Sequence, residues 1–264
     1  MLCALAFSAF AAQGASAATE GLTLFTCKKN ATNPTGERFK GEHCRDVDTS
    51  VTGEWTHEAI AENTTTEITG TSEVSKLKST ISGIETELQS PVSHILPEVE
   101  VKPEVIEKSW VTNAKDPVTG EHYFHGEAWV EYTEVVVEKP AGKGCKVKGG
   151  AIRTNKLKFS SKGLKEHTVL FEPLAGPTGV FAEFTVEGCS ISALNGIYEV
   201  KGTVEGTVDG ATLNFTHPTT TAQGKLTLRG QKAGFESSAT VKGTDKAAGD
   251  KTDTPLSATT VPTP

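Results

Sequence analysis

From Leu22 onward the chain is written in short runs of β-branched and aromatic residues, broken about every ten residues by Gly, Asn, Asp or Pro. Abundant Thr reinforces the pattern, because a branched Cβ suits a pleated surface and loses rotamer freedom in a helix. The expected fold is all-β, with antiparallel sandwich or barrel-like sheets held by disulfides. Strands are expected over 22–27, 64–71, 76–88, 98–102, 122–138, 145–159, 168–172, 179–187, 197–208, 211–216, 225–228 and 237–241. Long amphipathic helices are absent from the pattern, and at most one short helix is expected, near 55–62 or 103–110.

Two turns have a local cause. Asp209-Gly210 supplies adjacent residues tolerant of positive φ, which a type I′ hairpin needs. Asp116-Pro117 with Thr119-Gly120 marks a second turn, ahead of the long run from His122. In that run Trp129, Glu131 and Thr133 fall on one face and Val130, Tyr132 and Glu134 on the other. Neither face is purely apolar, so a bulge or a two-sided strand is expected there.

The first seventeen residues read as an export signal. Leu2 to Ala12 carry no charge, and Ala15-Ser16-Ala17 is the small-x-small pattern that signal peptidase accepts. The segment is short for a membrane span, which needs about 20 apolar residues, so cleavage after Ala17 and secretion are expected, with no membrane span. A secretory n-region normally carries Lys or Arg, and none precedes Leu2. The true start is therefore expected upstream of Met1. Residues 18–242 form the expected β-rich globular region, and 243–264 a tail too polar to offset the entropy of ordering and therefore expected to be flexible, with 256–260, closely bounded by Pro255 and Pro262, the one stretch that could add a last strand.

Removing the signal leaves Cys27, Cys44, Cys145 and Cys189. In an oxidising compartment these pair, and parity permits three connectivities. Chain proximity favours Cys27 with Cys44 and Cys145 with Cys189. A faint echo accompanies this pairing. Cys44, Gly53-Glu54-Trp55, Thr64-Thr65-Thr66 and Gly83-Ile84-Glu85 are matched by Cys189, Gly196-Ile197-Tyr198, Thr219-Thr220-Thr221 and Gly234-Phe235-Glu236. Two similar halves, 18–139 and 140–242, are one reading, and compositional likeness of Thr-rich strands is the other.

Motifs that would name a chemistry are not assembled. The net charge of −7 removes the electrostatic reason for nucleic-acid binding. No CxxC occurs, and His43 beside Cys44 has no second His at ligand spacing. His122 and His125, three apart in a strand pattern, point to opposite faces and do not form a metal pair. Asp46 and Asp48 imitate a calcium loop, but Val51 and His57 stand where that loop needs Gly and Glu. No GxSxG elbow or phosphate loop is present. Glu127, Glu131, Glu134 and Glu138 supply carboxylates without ranking any pair as acid and base. No catalytic residue, cofactor or metal ligand is therefore assigned.

Phe25-Thr26-Cys27, Glu42-His43-Cys44, the run from Thr66 to Thr71, the run from Lys139 to Cys145, Val186-Glu187-Gly188-Cys189 and the run from Leu228 to Gly234 resemble a family of uncharacterised secreted proteins from high-GC Gram-positive bacteria. The resemblance implies a bacterial secreted protein. It brings no activity, ligand or site residue with it.

Two functions are weighed. The first is a secreted, non-catalytic binding or structural module for an extracellular ligand or surface, with Trp55, Trp110 and Trp129 as anchors or core residues. The alternative is a secreted, glycosidase-like hydrolase acting through carboxylates. Facing carboxylates in a cleft distinguish the second from the first.

Overall fold

The computed structural model describes residues 21–29, 39–40, 53–164, 167–210, 212–217, 225–244 and 253–261. The expected signal peptide, Cys44 and the Asp46, Asp48 and Val51 positions of the apparent calcium loop lie outside them, and so does the Cys27–Cys44 bridge, while His57 falls in a strand. The Cys145–Cys189 bridge is present, with Cα atoms 4.1 Å apart.

Strands β1 (Gly21–Lys29) and β2 (Trp55–Ala59) are followed by β3 (Thr66–Ser72), β4 (Ser75–Ile81), β5 (Ile84–Ser90) and β6 (Val92–Leu96). A hairpin of β7 (Glu98–Lys102) and β8 (Val105–Lys108) precedes β9 (Trp110–Lys115), β10 (His122–Thr133) and β11 (Val136–Lys139). Then come β12 (Lys146–Val147), β13 (Ile152–Arg153), β14 (Leu157–Ser160), β15 (Thr168–Pro173) and β16 (Val180–Glu187). The last are β17 (Gly196–Lys201), β18 (Val204–Asp209), β19 (Thr212–His217), β20 (Thr227–Leu228), β21 (Gln231–Thr244) and β22 (Asp253–Val261). Among the described residues the remaining regular structure is two 3₁₀ turns, and no helix is long and apolar enough to cross a membrane.

Register turns these strands into two closed circuits. Ser72 pairs with Ser93 and Ser75 with Ser90, so β3–β4 and β5–β6 form one long antiparallel hairpin. Thr133 pairs with Val92 and Val136 with Gln89, which places β10 and β11 in line along its other edge. β21 runs along β3 and then β4. From this shared wall, β19, β18, β15 and β14 lead from β21 round to β10. At the other end β20, β17, β16 and β12 lead from β21 round to β11. Closure leaves no open edge along either path, which is how β proteins avoid exposing unpaired backbone.

Between the circuits β3–β4 gains one residue on β21: Ala239 faces Ser72, but Glu236, three back, faces Lys76, four on. Such a bulge bends and twists a strand. Its polar groups are satisfied by a chain of serine hydroxyls, Ser93 to Ser72 (2.6 Å), Ser72 to Ser75 (3.1 Å) and Ser75 to Ser237 (2.8 Å). Glu134, with φ of 52°, marks the matching irregularity between β10 and β11, as the two-sided pattern of that run implied.

One apolar core fills both circuits. Rings run through it in sequence: Phe159 on Phe171 (5.1 Å), Phe171 against Phe215 (5.5 Å), Phe215 against Phe235 (5.4 Å) and Phe235 against Tyr132 (6.2 Å). Packing leaves a cavity of about 70 Å³ in the first circuit and about 60 Å³ in the second. Both are far below the few hundred Å³ of a small-molecule pocket.

Several expectations are corrected. The single strand over 76–88 is a hairpin, because Ser82 and Gly83 take φ of 50° and 78° and Ile81 pairs with Ile84. The strand over 145–159 is broken twice: a turn at Gly149 and Gly150, whose φ values are 78° and 68°, separates β12 from β13, and residues 154–156 separate β13 from β14. Both proposed helix positions are strands, β2 and β8. The 209–210 hairpin exists, but Asp209 pairs with Thr212, so its turn lies one residue later, with Gly210 at φ of 55°. The stretches 18–139 and 140–242 do not build separate sheets: β10 pairs with β14, and β21 with β3. In the polar tail, β22 pairs with β1 and β21. Leu256 and Ala258, alternate residues on one face, are buried in the core and offset the cost of ordering it.

Candidate functional site

The outer face of the first circuit carries a groove of about 350 Å³ across β9, β10, β14 and β15. Alternation builds it. Odd residues of β10 point outward while Phe124 and Ala128 enter the core. Register then aligns Trp110, Glu127, Lys158 and Glu172 as one cross-strand row over four strands. Three strand spacings make that row about 14 Å long. His125 and Ser160 form the adjacent row.

Gly126 is required in the floor. A Cβ there would strike the Trp110 carbonyl oxygen and come within 2.6 Å of the Phe159 ring. Its absence lets β9 and the core aromatic close on β10.

The Trp110 and His125 rings meet edge to face at 5.6 Å, and Tyr123 continues the aromatic line 5.8 Å from His125. The Trp110 Nε1–H donates to Glu127 Oε2 at 3.3 Å. That same oxygen lies 2.6 Å from Lys156 Nζ, which also reaches Glu107 Oε2 at 2.7 Å. Burial pulls the Lys156 ammonium down, but the hydrogen bonds and charges of Glu107 and Glu127 outweigh it and hold its pKa above the usual value. Lys158 Nζ lies 3.1 Å from Glu172 Oε1. Lys162, over the Tyr123 ring at 5.3 Å, pairs with Asp116 Oδ2 at 2.6 Å. The Lys162 ammonium and the amides of Thr119 and Val118 hold the Asp116 carboxyl well below the ordinary range. Asp116 also organises the expected 116–120 turn, accepting from the Val118 and Thr119 N–H groups.

Of the three tryptophans, Trp110 lines the groove, whereas Trp129 is buried beneath Lys156 and Trp55 packs on Phe25 and Phe39. His122 and His125 diverge as alternation requires: His122 Nδ1 lies 3.3 Å from Glu62, away from the groove. The four carboxylates of the long run do not converge. Glu127 and Glu131 lie four residues apart on one strand, roughly 13 Å, and Glu131 is engaged by Arg153 at 2.8 Å. Glu134 and Glu138 are exposed. Among the described residues no group of three or more His, Cys, Asp or Glu side chains is arranged to hold a metal ion.

Sequence reasoning missed Glu107, Lys158 and Glu172. One signal pointed to them: between 139 and 165 nine Lys or Arg residues occur without an Asp or Glu. Such a run in an acidic chain needs carboxylates from elsewhere, and Lys139, Arg153, Lys156 and Lys158 find them on β5, β8, β10 and β15.

No protein-family model matches the chain, and no curated protein or solved structure matches it significantly.

Proposed function

We propose that the chain is a secreted, non-catalytic binding module of bacterial origin that takes an extracellular ligand in the groove around Trp110 and His125. The observation that carries this reading is where the space lies. The circuits are filled, while the outer surface carries two concavities of ligand size, one of about 620 Å³ over β4, β19 and β21 and the Trp110 groove of about 350 Å³, and of the two it is the Trp110 groove that sets an indole and an imidazole among charged side chains. Its charges are held by neighbouring side chains, Lys158 by Glu172 on the adjacent strand and Lys162 by Asp116, so the surface is preformed rather than assembled on binding.

A thermal-shift screen of the intact, disulfide-bonded chain across saccharides, peptides, polyanions and apolar ligands tests the reading. At least one class is expected to raise the Tm in wild type and not in Trp110→Ala, without turnover of any substrate. Turnover abolished by replacing Glu127 with Gln would overturn the module and establish a hydrolase.

A further inference from the structure

Resting on the groove reading above, we infer that the ligand is a neutral, hydroxyl-rich saccharide stacked on Trp110. Charge pairing argues against an anionic ligand. Each lysine at the groove already faces a carboxylate: Lys156 faces Glu107 and Glu127, Lys158 faces Glu172 and Lys162 faces Asp116. A polyanion meets no unneutralised cation there, and an apolar ligand would strip water from ion pairs without replacing it.

Unspent hydrogen-bonding capacity argues for hydroxyl groups. Glu127 is held through Oε2 by Trp110 and Lys156 and Glu172 through Oε1 by Lys158, and no further residue among the described ones bonds Glu127 Oε1 or Glu172 Oε2. Lys158 spends one contact of its three N–H groups, and the Ser160 hydroxyl, which accepts from the Lys162 N–H at 3.1 Å, keeps its own proton to donate. Acceptors and donors therefore alternate along the row beside an indole and an imidazole. A sugar matches this set, since each hydroxyl both donates and accepts while its C–H face covers an aromatic ring.

Backbone pairing argues against an extended peptide. β10 is paired on both sides by β9 and β14, β14 by β10 and β15, and β15 by β14 and β18. The groove floor offers no free strand edge for a peptide to extend. Recognition falls to side chains.

The test titrates the full chain with cellotetraose, N-acetylchitotetraose and maltotetraose, reading tryptophan fluorescence and calorimetric heat. A 20-residue polyglutamate and an apolar extended peptide serve as comparison probes. One or more of the saccharides is expected to bind. Trp110→Ala should weaken it at least about tenfold, Glu172→Gln about threefold or more, and Ile197→Ser, exposed on the other circuit, not at all. Glu172→Gln keeps the shape of a half-buried surface residue, so its effect stands even if Trp110→Ala fails to fold. Saccharide binding that survives Glu172→Gln and any folded Trp110 variant would overturn the assignment. If polyglutamate or the peptide binds in a Trp110- or Glu172-dependent way and no saccharide does, the ligand class falls and the groove stands. If no probe gives a dependent signal at about 10 mM, both fall.

Discussion

Asn113 holds Leu24 by both of its backbone groups. The Asn113 Oδ1 accepts from the Leu24 N–H at 2.9 Å, and its Nδ2 donates to the Leu24 carbonyl at 2.7 Å. The remaining Nδ2 proton goes to the Ile60 carbonyl at 2.8 Å. One amide, 2% exposed, thus locks β1 and the segment after β2 onto β9. This explains how a polar side chain sits in the core: nearly all its capacity is used.

Asn113→Ala is expected to destabilise the protein by on the order of 3 kcal/mol, because the buried Leu24 N–H loses its partner and the Leu24 and Ile60 carbonyls each lose a donor. Asn113→Asp should do comparable damage, since a carboxylate cannot donate to the Leu24 and Ile60 carbonyls. Urea denaturation measures both. A loss below about 0.5 kcal/mol would show that β1 is held by other contacts.

Replacing both Cys145 and Cys189 by Ser opens a loop of sequence separation 44. Loop-closure entropy predicts a loss of about 4 kcal/mol. Non-reducing peptide mapping should recover the two cysteines in one cross-linked fragment. Recovery of either one joined to Cys27 or Cys44 would contradict the structure.

Gly126→Ala places a methyl group against the Trp110 carbonyl and the Phe159 ring. Neither can retreat easily, one being backbone in a paired strand and the other stacked in the core. A cost of about 1–3 kcal/mol is expected, with altered tryptophan fluorescence as the groove floor shifts. An unchanged spectrum and unchanged stability would show that β9 and β10 are looser than their pairing implies.

Asp116 gives a pH dependence with a definite sign. Its folded pKa is depressed by Lys162 and two backbone amides, so its contribution is present above the ordinary carboxylate range and is lost as pH falls below it. Asp116→Asn should lower the Tm near neutrality, and the gap to wild type should narrow as pH falls from about 6 to about 2. A gap that widens towards acid would reverse the assignment.

Lys156 ties the β7–β8 hairpin to the wall through Glu107. Lys156→Met is expected to raise amide hydrogen exchange over 98–108 while costing less than about 2 kcal/mol globally, because the ion pairs are partly solvated. Unchanged exchange over the hairpin would assign its attachment to Lys108 and Glu67, which pair at 2.7 Å.

The sequence by itself determined that this chain is β throughout and where most strands lie, because β-branched residues and turn residues act over a few neighbours. It also determined the outward and inward faces of β10, hence the divergence of His122 and His125, since strand alternation is a local rule. Local signals that were weak or doubled were misread: Ser82-Gly83 is a turn inside what looked like one strand, and Leu256 with Ala258 suffices to order part of a polar tail. The two circuits, the wall they share and the row from Trp110 to Glu172 were decided only by tertiary structure. Each depends on register between strands distant in sequence, and register is fixed by which faces bury together and by a one-residue bulge, neither of which any single segment encodes. Ion-pair partners such as Glu107 and Glu172 share that dependence, because a carboxylate acquires its lysine only when two remote strands lie side by side.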